Sequence, residues 1–297
     1  MPVSAICLRS ELERVLGRPI AAIERQPGTY GSSHPIEEVE IRFLAGEPLR
    51  LVAKDAPSGE VTAYEQVLRP RKLDVPTYHG TLAKPECGGR WLLLDAVDGV
   101  PLWQVGELEA WEQAARWLAG LHASGTPARE LELMAYGAEY FEPWMGRAVG
   151  RSDAPALAAL AVHWQRVVER LLDWPPTTVH GDFYPSNVLV EHRSPRPRVL
   201  PIDWERAGRG PGLLDLAALS SGRWTVAERE RLALAYHGAL APADRPSPAE
   251  LVDALRYFRL FVAVQWLGWS RDWSPPAEHA HDWLGDVIGL VEELELS

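Results

Sequence analysis

The sequence predicts an α+β fold in two lobes. Strand signals crowd into the first third of the chain, helical periodicity dominates the rest, and a turn near residues 97–101 separates them. Strands and helices segregated along a chain point to α+β rather than to an alternating α/β layout. At 297 residues the chain can bury a large core, as one domain or as two lobes.

In chain order, Ser10 to Leu16 reads as a short helix and Tyr30 to Ala56 as strands. Ile36, Val39, Ile41 and Phe43 precede the turn Ala45-Gly46-Glu47-Pro48, and Leu49 to Lys54 returns, a hairpin by turn signal and by alternation. Glu60 to Leu68 reads as a helix ending near Pro70. Arg90 to Asp95 is a buried strand closed by the turn Asp98-Gly99-Val100-Pro101. From Glu107 to Ser124, Leu108, Trp111, Ala115, Leu118 and Leu121 recur at helical spacing. The remainder is mainly helical, interrupted by a hairpin at residues 178–203.

Composition narrows the function. The hydrophobic content of 46% and charged content of 24% are those of an ordinary globular protein. Cys7 and Cys87 give no disulfide framework and fit a reducing compartment. No signal peptide is evident at the N-terminus, and the apolar run Leu260 to Val264 is too short to span a bilayer. The expectation is therefore a cytoplasmic protein with no membrane partner. A net charge of -11 argues against non-specific nucleic-acid binding. Oligomeric state is left open.

The chemistry is concentrated in His180-Gly181-Asp182-Phe183-Tyr184-Pro185-Ser186-Asn187 and in Asp203 of Pro201-Ile202-Asp203-Trp204-Glu205. An Asp, an Asn five positions on, and a second Asp beyond an apolar strand form the layout of a phosphoryl-transfer centre. In kinases the first Asp accepts or orients the acceptor hydroxyl, while the Asn and second Asp hold Mg2+ on the nucleotide phosphates. Magnesium takes hard oxygen ligands, and these side chains supply oxygen. A tight loop turns Asp182 and Asn187 toward one point, and the strand Val199 to Ile202 returns Asp203 beside them.

This segment resembles the catalytic loop of the aminoglycoside phosphotransferase-like family, which includes antibiotic kinases, choline kinases and other small-molecule kinases. Ile202-Asp203-Trp204-Glu205 resembles the family's metal-binding Ile-Asp-Trp-Glu, and Gly212 to Ala217 resembles its following Asp-Leu-Ala helix. The resemblance implies a protein-kinase-like fold. Residues 1–97 would be the nucleotide-binding lobe, 98–297 the catalytic and substrate-binding lobe, and the backbone of Asp95 to Val97 would meet the adenine edge. It implies catalysis by Asp182, metal binding by Asn187 and Asp203, and loop bracing by His180 and Asp215. Glu205 is a further candidate to face metal or substrate.

Lys54, ending a strand, matches the lysine that contacts nucleotide phosphates in kinases. Its carboxylate partner is expected on the following helix, where Glu60 falls on the apolar face between Tyr64 and Val67 and Glu65 lies at its edge. Glu60-Val61-Thr62-Ala63-Tyr64 resembles the family pattern and favours Glu60. Gly28, Gly31, Ser32 and Ser33 are expected in the phosphate-covering loop, where glycines permit close approach and serines donate to phosphate.

Other classes fit less well. Metallophosphoesterases need an upstream Asp-x-His and a downstream Asn-His-Asp/Glu, and neither occurs. His279-Ala280-His281-Asp282 superficially suggests a metal cluster but is better read as a helix face. A non-catalytic nucleotide-binding protein is disfavoured by the intact set Lys54, Asp182, Asn187 and Asp203. The co-substrate is expected to be ATP, with GTP as the alternative. The acceptor is a small-molecule hydroxyl, with an aminoglycoside or other antibiotic leading and a choline-like alcohol, amino-acid alcohol or sugar as the alternative. The resemblance would build its pocket from Tyr140 to Asp173 and Trp224 to Glu293. There Trp266, Trp269 and Trp273 could cage a quaternary ammonium or stack on a sugar, and Asp272, Glu278 and Asp282 could bind amino groups.

Overall fold

A computed structural model describes residues 5–28, 34–84, 89–127, 129–191, 197–269 and 280–296. Helix α1 (Ala5–Leu16) precedes strands β1 (Ile20–Pro27), β2 (Ile36–Phe43) and β3 (Leu49–Ala56). Helix α2 (Ser58–Thr62) runs into a π-helical turn, Ala63–Leu68, and a short α3 (Arg69–Arg71). Strands β4 (Tyr78–Ala83) and β5 (Arg90–Asp95) complete an antiparallel five-stranded sheet of order β1-β2-β3-β5-β4. The first helix is longer than its sequence signal, and the predicted Glu60–Leu68 helix is α-helical only through Thr62.

The β2–β3 hairpin and the β5 strand stand where the alternation puts them. β1 and β4, not anticipated, are the two edges of the sheet. An edge strand packs against fewer neighbours, so its apolar alternation is weak: β1 buries only Ile20 fully, and β4 only Leu82. Along β3 the period of two sorts the side chains. Leu51 and Ala53 enter a core under α1 with Leu12, Val39 and Ile41, while Lys54 and Ala56 face the other way.

The remaining chain is largely helical. A two-residue strand β6 (Val100–Pro101) precedes α4 (Leu108–Ala123), followed by β7 (Met134–Ala135), α5 (Ala138–Phe141), α6 (Pro143–Val149) and α7 (Pro155–Leu172). Strands β8 (Pro176–Val179), β9 (Val188–Glu191), β10 (Arg198–Pro201) and β11 (Gly208–Pro211) frame the two motif loops. Helices α8 (Leu213–Leu219), α9 (Val226–Ala239), α10 (Pro248–Gly268) and α11 (Trp283–Glu293) follow. Thr225 and Ser247 open α9 and α10 with reciprocal capping boxes to Glu228 and Glu250. One continuous apolar core runs from Val61 and Tyr64 behind the sheet, through α4, to α8, α10 and α11. No helix among the described residues is long and apolar enough to cross a membrane.

Candidate active site

Two antiparallel ladders place the motif loops. In the first, β9 pairs with β10 so that Val188 faces Pro201, and the pairing runs one step further when the Ile202 N–H donates to Asn187 O at 2.9 Å. That register sets Asp203 beside Asn187. In the second, β8 pairs with β11, Val179 facing Gly208, which brings the start of the 180–187 loop against the end of the 203–207 turn. Gly181 has φ +79, and a Cβ there would stand 1.9 Å from Tyr136 Oη and 2.3 Å from Arg206 O. Only glycine fits this crossing.

The 180–187 loop is braced from beneath. Asp215, near the start of α8, accepts the N–H groups of His180 at 2.7 Å and Gly181 at 2.9 Å and meets His122 Nε2 at 3.3 Å. His180 is fully buried; its Nε2 lies 2.9 Å from Ile202 O and its Nδ1 accepts the Asp182 N–H at 3.3 Å. Those partners assign the proton to Nε2, and burial lowers the imidazole pKa, so the ring is a neutral strut. Asn187 Nδ2 donates to Asp182 O at 3.0 Å and to Asp182 Oδ2 at 2.9 Å, which turns its amide oxygen away from Asp182. Burial pushes the Asp182 carboxyl up to about 6; Arg206 pulls against the rise, Asp203 adds to it, and the Asn187 amide offsets part.

Across the cleft, Lys54 is buried and pairs with Glu60 Oε2 at 2.8 Å and with Asp203 Oδ1. Burial alone would lower the lysine pKa, but the carboxylates of Glu60 and Asp203 outweigh it and hold it above its ordinary value. Glu60, not Glu65, is the partner; Glu65 instead accepts the Tyr78 hydroxyl at 2.5 Å. Asp203 adopts left-handed backbone, φ 64 and ψ 65, uncommon for a non-glycine residue and concentrated at functional sites. Among the described residues Asn187 Oδ1 and Asp203 Oδ2 receive no hydrogen bond. An amide and a carboxylate oxygen lining one cavity are the kind of oxygen donors a hard divalent cation takes, with phosphate and water completing its shell.

The other expected nucleotide contacts are placed unevenly. Gly28 closes β1, its N–H bonded to Ile36 O at 2.9 Å, and a Cβ there would meet Ile36 Cγ2 at 2.6 Å. Gly31, Ser32 and Ser33 lie outside the described residues. Asp95 donates its N–H to Thr77 O and pairs its carboxylate with His79 at 2.6 Å, while the Ala96 N–H goes to Arg50 O. Among the described residues the Val97 N–H donates to no backbone carbonyl.

Asp182, Asn187 and Asp203 stand at one wall of a cavity of about 880 Å³. The expected walls hold only in part. Trp224, Trp266, Trp269 and Trp283 line it, but none of Tyr140 to Asp173 does. Tyr140 instead backs Arg206, whose Nη2 donates to its hydroxyl at 3.1 Å, and α6 and α7 pack on α10. Trp103, Trp111, Arg206 and Arg223 also line the cavity and escaped the sequence reading; Arg206, directly after Glu205, was the one findable from its position. Phe261 is fully buried core, whereas Trp266 reaches the cavity. Glu205 lines it too and pairs with His34 at 3.1 Å. Asp272, Trp273, Glu278 and His279 lie outside the described residues. His281 pairs with Asp286 at 2.7 Å, and Asp282 caps α11 by accepting the Gly285 N–H at 2.9 Å; this is a helix cap, not the plain helix face expected. Among the described residues no group of three His, Cys, Asp or Glu side chains is placed to hold a metal.

Comparison with known proteins agrees with this geometry. A microcompartment-associated aminopropanol kinase has TM-score 0.64 and 14% identity, over 97% of this chain and 94% of that one. The choline kinase LicA from Streptococcus pneumoniae has TM-score 0.59 and 15% identity over 98% and 99%. An aminoglycoside 2'-phosphotransferase-IIIa in complex with GDP has TM-score 0.57 and 15% identity over 98% of each chain. At such identities the likeness establishes the two-lobed kinase-like fold. No curated protein sequence matches the chain. The model of the phosphotransferase enzyme family, APH, matches residues 41–251, from the end of β2 into α10 and so across both walls of the cleft, and the chain belongs to that family.

Proposed function

We propose that this phosphotransferase moves the γ-phosphoryl group of a magnesium nucleotide to a hydroxyl of a small molecule bound in the 880 Å³ cavity. The observation that carries the reading is the meeting of Asp182, Asn187 and Asp203, from the two motif loops, at the wall of that cavity, with Lys54 of β3 paired to Asp203 behind it. In this reading residues 1–97 hold the nucleotide and 98–297 supply catalysis and the acceptor site. Lys54, steadied by Glu60, neutralises phosphate charge; Gly28, Gly31, Ser32 and Ser33 cover the phosphates; Asp95 to Val97 present backbone to the base. Asn187 and Asp203 would hold Mg2+, which screens the phosphate oxygens during transfer. Asp182 orients the acceptor hydroxyl and takes its proton.

ATP is the leading donor and GTP the alternative; a GDP complex of a structural neighbour supports keeping both. Among acceptors, an aminoglycoside or other antibiotic leads, and amino alcohols such as those of the choline and aminopropanol kinases are the alternative. The reaction is placed in the cytoplasm, where nucleoside triphosphates are held. The test is a screen of hydroxylated antibiotics and metabolites for stimulated ADP or GDP release with Mg2+. Acceptor-dependent release that Asp182→Asn abolishes supports the reading. Tight nucleotide binding with no turnover by any acceptor would instead favour a non-catalytic binding protein.

A further inference from the structure

Tyr184 and Trp266 both line the acceptor cavity, and Tyr184 belongs to the same loop as Asp182. The loop fixes the tyrosine backbone. Its N–H donates to Asp182 O at 2.8 Å, and its carbonyl accepts the Asn187 N–H at 2.8 Å. Helix α10 fixes the ring. Trp266 Nε1 donates to Tyr184 Oη at 2.8 Å, and the two rings meet edge-on, with centroids 5.5 Å apart and 76° between planes. Trp266 is itself stacked on Trp283, with centroids 5.3 Å apart and 4° between planes. The phenol is therefore anchored at both ends.

The Trp266 contact has a direction. An indole N–H can only donate, so Tyr184 Oη is the acceptor and the phenol's own proton points elsewhere. Among the described residues that proton meets no acceptor, because the bond from Trp266 is the one hydrogen bond made at Tyr184 Oη. Burial raises the phenol's pKa and the Asp182 carboxylate adds to the rise, so the proton is kept at any ordinary pH. Tyr184 is thus a fixed hydrogen-bond donor with nothing to donate to until the cavity is filled. The charged side chains of the wall, Asp182, Asp203, Glu205, Arg206 and Arg223, are of both signs and do not by themselves choose an acceptor by its charge. A donor without a partner chooses by lone pair.

We propose that Tyr184 donates its hydroxyl proton to a second oxygen of the acceptor while Asp182 takes the reacting hydroxyl, so that the cavity selects compounds with at least two oxygens: sugars, glycosides and other polyols. An alcohol whose other polar group is a quaternary or protonated nitrogen has no second lone pair to receive the Tyr184 proton. The inference rests on the phosphotransferase reading of the cavity and narrows it, toward sugar-bearing acceptors and away from choline-like and aminopropanol-like alcohols. A cavity of about 880 Å³ accommodates several linked rings.

The test is calorimetric binding to the full chain in the presence of Mg2+ and a non-hydrolysable nucleotide. Two probes share one aromatic body and differ in oxygen, 2-naphthyl β-glucoside and 2-naphthylmethanol. Choline and 3-amino-1-propanol are the ammonium alcohols. The glucoside is expected to bind about tenfold or more tightly than any of the other three. Tyr184→Phe keeps the ring and removes the proton, and should weaken the glucoside about fivefold, the worth of one neutral hydrogen bond, while changing naphthylmethanol by less than about twofold. A glucoside that binds no more tightly than naphthylmethanol, choline or aminopropanol overturns the proposal. So does a glucoside affinity indifferent to Tyr184→Phe, or an equal loss for naphthylmethanol, which assigns the phenol to the reacting hydroxyl or to the loop. If the Phe variant does not fold, the wild-type ranking decides alone. Because binding requires no transfer, failure of the phosphotransferase reading shows separately, as a nucleotide affinity that Lys54→Ala leaves untouched.

Discussion

Glu60 Oε1 accepts the backbone N–H of Trp204 at 3.1 Å, across 144 residues of sequence, while the other oxygen of the same carboxylate pairs with Lys54. One fully buried side chain thus ties Lys54 of β3 to the turn that carries Asp203. With the direct Lys54–Asp203 pair, Glu60 joins the strand lysine and the Asp203 turn across the cleft.

Replacing that carboxylate should therefore disturb nucleotide binding. Glu60→Gln keeps an acceptor for Trp204 but removes the charge opposite Lys54, and is expected to weaken Mg-nucleotide binding about tenfold, roughly 1.4 kcal/mol. Lys54→Ala should weaken it further. Glu65→Gln should change little, because Glu65 serves Tyr78. Calorimetric titration of the three variants with MgATP and MgGTP gives the ranking; a larger defect in Glu65→Gln than in Glu60→Gln contradicts it.

Asp203→Asn replaces a charged oxygen donor by a weaker neutral one for a hard dication. The expected result is a steep rise in the Mg2+ concentration needed for nucleotide binding and turnover. Titrating Mg2+ at fixed nucleotide measures it, and an unchanged profile removes Asp203 from the metal site.

Asp182 links rate and stability through one pKa. With the carboxyl held up to about 6, transfer should fall as pH drops through that value, because the protonated acid no longer accepts from the hydroxyl. Asp182→Asn should lower kcat by about 10²- to 10⁴-fold. The sign for stability is opposite. The folded pKa lies above the ordinary 3.8, so the group favours folding below about pH 4, and that contribution is lost as pH rises through 6. Apo Asp182→Asn should accordingly melt higher than wild type at pH 8, by about 2 °C for each kcal/mol gained, and equal to it near pH 3.5. Equal melting temperatures at both pH values argue against the burial penalty.

Gly181→Ala should be among the most damaging single-methyl changes. The added carbon meets the Tyr136 hydroxyl and the Arg206 carbonyl, in a backbone conformation alanine resists. A loss of about 1–3 kcal/mol or more is expected from strain alone, with collapse of transfer activity. Urea denaturation and turnover measure both. Tyr136→Phe should not rescue it, because the Arg206 carbonyl remains 2.3 Å from the new Cβ.

The motif centre was legible in the sequence because it is built from short-range geometry. Asp182 and Asn187 share one loop and are joined by their own hydrogen bonds, and Asp203 follows from hairpin register, which alternation and turn residues already determine. The strand lysine and its helix partner were legible for the same reason: a period of two puts Lys54 on the face opposite Leu51, and helical spacing puts Glu60 inward. The edge strands β1 and β4 were not, since a strand packed on one side loses much of the pattern that reveals it. The acceptor walls were only partly legible: Trp224, Trp266, Trp269 and Trp283 fall in the expected stretch, but which of its residues face the cavity, and the contribution of Trp103, Trp111, Arg206 and Arg223, were decided by tertiary structure. Trp103 and Trp111, Arg206, Trp224 and the Trp266–Trp283 pair come from five separate stretches of chain, and none shows in its local periodicity that it points into shared space. Chemistry that must act at one point leaves a compact spacing in the sequence. A binding cavity is the gap between packed elements, and packing is a property of the whole chain.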